Sequence, residues 1–177
     1  TLGLGLSQFP LGWAEAAKGP RRRILFFTKS SGFEHPAIKQ VNGQPSFAEK
    51  VLQELGARHN FEVTHTKDGS VFTPENLAKY DAFFFYTTGD LTTPGTDKNP
   101  PMTKEGKAAF LDAIKNGKGF IGTHSASDTF HTQPDTPDRA NRYINHGEAS
   151  DPYIRMLGGE FIKHGPQQVA KNTVADP

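Results

Sequence analysis

Short, nearly continuous apolar runs recur along the chain. Residues 23–28 (RILFFT), 82–87 (AFFFYT) and 119–123 (GFIGT) are each typical of a strand buried on both faces of a parallel sheet. Residues 61–66 (FEVTHT) alternate between apolar and polar positions and predict a fourth strand. The polar pattern of residues 160–164 and 167–172 predicts one or two further strands at a sheet edge.

Between these runs lie signals for helices. Ser46, followed three residues later by Glu49, predicts a capping box, and Gly56 predicts the end of that helix. The apolar positions expected on its inner face are Phe47, Val51, Leu52 and Leu55.

Three further helices have recognisable start residues. Thr73-Pro74 predicts a short helix toward Tyr80, and Thr103 caps a helix that closes at Asn116-Gly117. Asp151-Pro152 opens a short helix that ends at Gly158-Gly159. Strands therefore alternate with helices, which predicts an α/β fold with a parallel sheet and helices on both faces.

Chain length and net charge restrict the class of protein. The chain has 177 residues, a mass of 19.4 kDa and a formal net charge of +1, which indicate one compact domain and argue against nucleic acid as a partner. We place this domain at residues 21–177. The apolar runs fall far short of the ~18–20 residues of a membrane span.

Residues 1–20 differ in character from the rest. Leu, Gly and Ala dominate, and Ala14-Glu15-Ala16-Ala17 is typical of a secretory cleavage region. One interpretation is a signal-peptide remnant, which predicts a periplasmic or secreted protein. The alternative is a plain N-terminal arm on a cytoplasmic protein.

Candidate chemistry collects where the buried strands end. Glu34 and His35 follow the first strand, Thr88, Gly89 and Asp90 follow the strand at 82–87, and His124, Ser125 and Asp128 follow the strand at 119–123. Ligands bind at this edge of open α/β sheets. His131 and His146 fall in the polar loop beyond, where we expect solvent exposure. The chain has no cysteine, which excludes thiol nucleophiles.

Four segments carry a family resemblance: SGFEH, YDAFFFYTTGDL, GKGFIGTHSASDTF and MLGGEFIKHGPQ. In this order they resemble ThuA-like (trehalose-utilisation) domains, relatives of the class I glutamine amidotransferase-like fold. The resemblance implies a three-layer α/β/α sandwich with a mostly parallel, flavodoxin-like sheet. Such domains usually continue past the equivalent of Pro177, so we expect the C-terminal part of the domain to be lacking and an uncovered face to favour a homo-oligomer.

The resemblance also bears on chemistry. The amidotransferase elbow is Gly-x-Cys-x-Gly; here Gly122 and Ala126 match its glycines and His124 stands at the cysteine. Glutaminase chemistry by that thiol is therefore excluded. A histidine at this place can move protons near neutral pH or ligate a divalent metal.

These observations define the expected site. His124, His35 and Asp90 are the candidate catalytic residues, and His35, His124 and His164, which matches a family histidine, are candidate ligands for a divalent metal such as zinc. Phe33 and Tyr86 are candidate stacking surfaces for a sugar, with a core position the alternative for Tyr86. The candidate substrate contacts are Glu34, Ser125, Asp128, Thr88 and Gly89.

The implied function is sugar chemistry. We expect an enzyme of isomerase, lyase or hydrolase type that acts on trehalose or a related keto-sugar, with a small-molecule carbohydrate as its partner. The alternative is a non-catalytic carbohydrate- or metal-binding module on the same fold.

Overall fold

A four-stranded parallel sheet forms the centre of the molecule. The computed structural model describes residues 19–131, 147–166, 168–171 and 173. The strands, in the spatial order β2-β1-β3-β4, are β1 (Arg22–Phe27), β2 (Phe61–Thr66), β3 (Ala82–Phe85) and β4 (Gly119–Gly122). Every neighbouring pair is parallel. The α/β class with a flavodoxin-like parallel sheet is therefore confirmed, whereas the predicted arm up to residue 18 lies outside the described residues.

Helices follow the strands as the start signals predict. The helices are α1 (Phe47–His59), α2 (Pro74–Leu77), α3 (Lys104–Lys115) and α4 (Pro152–Leu157). The capping box at α1 is present, since the Ser46 N–H donates to Glu49 Oε2 at 2.6 Å and the Glu49 N–H donates to Ser46 Oγ at 3.3 Å. No helix in the described ranges is long and apolar enough to cross a membrane.

Aromatic side chains make the core on one face of the sheet. Phe85 stacks on Phe110 of α3 with ring centroids 4.7 Å apart, and Phe27 packs on Phe72 at 4.6 Å. Tyr153 of α4 is fully buried in the same cluster. Burial of such rings is the main favourable contribution to folding of a domain this size.

The opposite face carries α1. His65 of β2 lies on this face beside Phe26, with ring centroids 5.5 Å apart, and bonds Glu49 of α1 at 2.8 Å between Nδ1 and Oε1. Helices therefore cover both faces, which gives the three layers of the expected sandwich.

The predicted inner face of α1 is partly wrong. Phe47 is 70% and Val51 37% exposed, whereas Glu49, Leu52 and Gly56 are buried. Glu49 turns inward because its carboxylate closes the capping box and bonds His65. The face of α1 that packs on the sheet therefore differs from the face that its apolar residues predict. Gly56 lies inside the helix and does not end it: a Cβ there would lie 2.6 Å from the Phe61 carbonyl oxygen.

Two strand predictions also need correction. β4 was expected to be buried on both faces, but it is the edge of the described sheet, and Ile121 is 43% exposed. Residues 160–164 form no strand, because the Phe161 N–H donates to the Ser127 carbonyl at 2.8 Å and so turns this segment toward the end of β4. Residues 168–171 are not a strand either, and residues 167 and 172 lie outside the described residues.

A buried ion pair fixes the long connection between β3 and α3. Lys29 Nζ lies 3.2 Å from Asp97 Oδ1, with side chains 0% and 2% exposed, and donates to the Asn99 carbonyl at 2.7 Å. The Ser30 N–H donates to Asp97 Oδ2 at 2.7 Å. The connection is thus fastened to the carboxyl end of β1.

We predict that Asp97→Ala lowers the free energy of unfolding by about 3 kcal/mol, because it leaves the Lys29 ammonium buried without its counter-charge. Urea unfolding measures the change. Asp112→Ala on the exposed side of α3 is the matched control and should change stability by less than about 0.5 kcal/mol. Equal losses in the two variants would contradict a buried, stabilising pair.

His65 lies in a second buried network. Its Nε2 lies 2.7 Å from Thr28 Oγ1 and its Nδ1 faces Glu49, so a neutral ring that donates from Nδ1 and accepts at Nε2 satisfies both partners. Burial lowers the pKa of His65 to about 4, against the opposing effect of Glu49 and with a smaller lowering by Lys67.

We therefore predict a stability that falls as pH is lowered from about 6.5 to about 4. In that window the unfolded chain binds a proton at His65 and the folded chain does not, so acid favours unfolding. Urea unfolding across this range should show a shallower pH dependence for His65→Gln than for wild type. His59→Gln, at the exposed end of α1, should keep the wild-type slope.

Candidate functional site

The segments that follow β1, β3 and β4 lie side by side at one edge of the sheet. Ser30 bridges to Thr88, and Gly89 bridges to Thr129, both in parallel. The Gly89 N–H donates to the Asp128 carbonyl at 2.7 Å, and the Phe130 N–H donates to the Gly89 carbonyl at 3.2 Å. The three segments therefore form one continuous floor beyond the strands.

Gly89 is required in this floor. Its φ is +76°, and a Cβ would lie 2.9 Å from the Ser31 carbonyl carbon. A side chain would thus be strained in conformation and would also push the β1 and β3 segments apart.

Three rings meet above this edge. The His35 and His124 rings make an edge-to-face contact with centroids 4.5 Å apart, and the Tyr86 ring lies 5.5 Å from the first and 5.3 Å from the second. Phe33 packs edge-on against His35 at 5.0 Å and is 68% exposed. Two imidazoles, a phenol and an exposed apolar ring thus lie within one small area.

Electrostatics disfavour a charge on His35. The pKa of His35 is lowered by burial first and by the neighbouring His124 second, while Asp128 opposes the shift. Burial raises the pKa of the Tyr86 phenol, so its hydroxyl keeps its proton at neutral pH. A neutral His35 imidazole is able to accept a proton.

His124 has a strained backbone. Its φ is +50°, in the left-handed region that residues other than glycine rarely adopt. It begins the 3₁₀ helix His124–Ser127 directly after β4, and a Cβ at Gly122 would lie 3.2 Å from Ala126 Cβ. The chain thus makes a sharp strand-to-helix turn with His124 at its apex. Strain of this kind is concentrated at functional sites.

Unpartnered buried polar atoms cluster here too. In the described part of the chain, the buried side-chain atoms without a hydrogen-bond partner are Ser30 Oγ, His35 Nδ1 and Ser125 Oγ. All three residues follow β1 or β4. Folded proteins leave few such groups unsatisfied, so their concentration at one edge points to a place where a ligand or water completes the bonding.

Other expected site residues are occupied by structural bonds. Asp90 Oδ1 accepts from the Thr92 N–H at 2.9 Å and from its hydroxyl at 2.7 Å, which caps a turn on the surface. Glu34 pairs with Lys67 at 3.1 Å, and the Thr88 hydroxyl donates to the Phe33 carbonyl at 2.9 Å. Their roles in catalysis or substrate binding stay predictions.

The three expected metal ligands form no metal-binding group within the described structure. His164 is exposed, and its Nδ1 lies 2.9 Å from the Gly165 carbonyl oxygen. Among the residues that the structure describes, no group of three or more His, Asp or Glu side chains is placed to hold a metal ion. His35 and His124 supply two nitrogen donors, whereas protein zinc sites use three or four protein ligands.

A carboxylate–imidazole–carboxylate chain borders this region. His131 Nε2 lies 2.7 Å from Asp128 Oδ1, and its Nδ1 lies 3.0 Å from Glu160 Oε2. The expectation of solvent exposure for His131 is wrong, since its side chain is 10% exposed. His146 lies outside the described residues. Glu160 was expected in a strand and was not expected at the site.

An open cavity of about 430 Å³ lies beside His124. One wall is the turn after β4 and the other is the segment after α4. The lining residues within the described ranges are Gly122, His124, Ala126, Ser127, Leu157, Gly158, Gly159 and Glu160. The volume suits a ligand the size of a small sugar.

The parallel sheet between its helical layers defines an α/β sandwich, and the candidate site with His124 lies at the strand ends. The family model described as ThuA, trehalose utilisation, matches residues 23–177. The chain therefore belongs to the ThuA family.

Among solved structures, the chain is similar to a protein of Bacteroides uniformis ATCC 8492 described as ThuA-like, with 22% sequence identity and a TM-score of 0.48. The match covers 85% of this chain and 48% of that one, so this chain spans about half the length of that protein. No protein with a curated description matches the chain.

The geometry predicts how the His35 imidazole titrates. In metal-free protein, nuclear magnetic resonance should place its pKa below the ordinary value of 6.5. His124→Ala should raise that pKa because it removes a like charge, and Asp128→Asn should lower it further because it removes an opposite one. Asp90→Asn is the control and should leave it in place. A shift with Asp90→Asn and none with Asp128→Asn would contradict the arrangement.

Proposed function

We propose that this protein is an enzyme of carbohydrate utilisation that moves protons on a neutral sugar or keto-sugar, with His124 and His35 as its acid–base pair. The observation that carries the proposal is the contact of the two imidazoles, with centroids 4.5 Å apart, at the carboxyl edge of the sheet. The ThuA family supports sugars as the substrate class.

The proposed chemistry needs one base and one acid. For a keto-sugar, a neutral imidazole removes the proton from the carbon next to the carbonyl, and the second, protonated imidazole supplies a proton to the carbonyl oxygen. An enediol results. The first imidazole then returns its proton to the former carbonyl carbon while the second imidazole accepts the proton of the neighbouring hydroxyl, which becomes the new carbonyl and completes an isomerisation. The lowered pKa of His35 suits it to be the base, which leaves His124 as the acid.

The surrounding residues support binding of a sugar. Phe33 exposes an apolar ring beside His35, on which the C–H face of a pyranose can pack. The Tyr86 hydroxyl, kept protonated by its raised pKa, is a donor for a sugar oxygen. The unpartnered Ser125 Oγ is a further donor or acceptor behind His124.

The test is turnover on a panel of trehalose, glucose and their keto derivatives, followed by nuclear magnetic resonance of the products. His124→Ala and His35→Ala should each lower kcat about 100-fold or more, the usual contribution of a general acid or base. His59→Ala, a surface histidine on α1, is the matched control and should keep wild-type turnover.

Two outcomes would overturn the proposal in different ways. Full turnover by His124→Ala would remove His124 from the chemistry. Sugar binding by wild type with no turnover of any panel member would instead favour the non-catalytic binding module.

A further inference from the structure

The cavity beside His124 has a second ionisable residue on its opposite wall. Glu160 lines it from the segment after α4, where Gly158, with φ +79°, ends the helix. The Phe161 N–H donates to the Ser127 carbonyl at 2.8 Å, so this wall is tied directly to the turn that carries His124.

Glu160 is held in place by a buried imidazole. Its Oε2 lies 3.0 Å from His131 Nδ1, and the side chains of Glu160 and His131 are 12% and 10% exposed. The other imidazole nitrogen lies 2.7 Å from Asp128 Oδ1. Both carboxylates accept hydrogen bonds from this ring, and these two contacts hold the carboxylate of Glu160 in one orientation.

The described lining of the cavity carries an acidic side chain. Among the lining residues that the structure describes, Glu160 is present but there is no lysine or arginine. Two lysines near the strand ends are committed elsewhere, Lys29 to Asp97 and Lys67 to Glu34. A phosphate or carboxylate in this cavity would face the carboxylate of Glu160, and no lysine or arginine among the described lining residues balances that charge, whereas hydroxyl groups can donate to it.

We infer that Glu160 is a ligand-binding residue of the cavity, that His131 is its positioning residue, and that the pair selects an uncharged, hydroxyl-rich ligand over a phosphorylated one. The inference rests on the proposed function and deepens it. It adds a second wall to a site otherwise made of the two imidazoles and their aromatic neighbours.

The experiment is calorimetric titration with four separate ligands: trehalose, trehalose 6-phosphate, glucose and glucose 6-phosphate. Of trehalose and glucose, the sugar that wild type binds more tightly should have an affinity at least tenfold higher than its own 6-phosphate. Glu160→Gln should weaken neutral-sugar binding about tenfold, the usual loss for a hydrogen bond to a charged group, and narrow the discrimination against phosphate. Glu148→Gln, whose side chain is fully exposed, is the matched control.

His131 is tested by a pair of variants. His131→Ala should weaken neutral-sugar binding as Glu160→Gln does, and His131→Gln, which keeps a donor toward Glu160, should restore part of it. A merely structural role would lower the denaturant midpoint of both His131 variants without separating their affinities.

The outcomes separate this inference from the proposed function. If Glu160→Gln binds sugar and rejects phosphate as wild type does while His124→Ala loses turnover, Glu160 is not a ligand residue and the proposed function stands. If wild type binds neither neutral sugar, both are overturned.

Discussion

The buried ion pair of Lys29 and Asp97 is the contact on which the site edge depends. An ammonium and a carboxylate at 0% and 2% exposure are costly to bury unless every remaining hydrogen-bonding position is filled. Here the Asn99 carbonyl accepts a second bond from the ammonium, and the Ser30 N–H donates a second bond to the carboxylate. Because these partners come from β1 and from the connection after β3, the pair holds the connection where it packs against the end of β1. Gly95 allows this approach, since a Cβ there would lie 2.4 Å from the Ser30 carbonyl oxygen.

Local signals predicted most of the fold correctly. The apolar runs located β1 and β3, and the residues Ser46, Thr103 and Asp151 marked helix starts, because strands buried on both faces and helix caps are determined by nearby sequence. The errors arose where distant residues decide the outcome. Gly56 was taken as a helix end, but it is the point where α1 approaches Phe61, and the burial of β4 depended on whether a further strand pairs with it.

The candidate site likewise contains some contacts that the sequence predicts and others that it does not. The order of strands brings the segments of His35 and His124 to one edge, so their placement could be predicted from topology alone. The link between His131 and Glu160 spans 29 residues of sequence and joins two loops. No periodicity or local motif encodes such a contact. Asp90 shows the reverse case: its position after β3 suggested chemistry, but its carboxylate is used by the turn that follows.

The two walls of the candidate site, one with His35 and His124 and the other with Glu160, differ in their electrostatics. On one side, burial and the neighbouring His124 lower the pKa of His35, which favours its neutral form. On the other, two carboxylates share one imidazole, which adds negative charge. If Glu160 binds the ligand as proposed, hydroxyl groups can donate to its carboxylate, whereas a negatively charged group would be repelled by it. The second wall would then restrict which ligand reaches the imidazoles of the first, although the residues of the two walls belong to different loops.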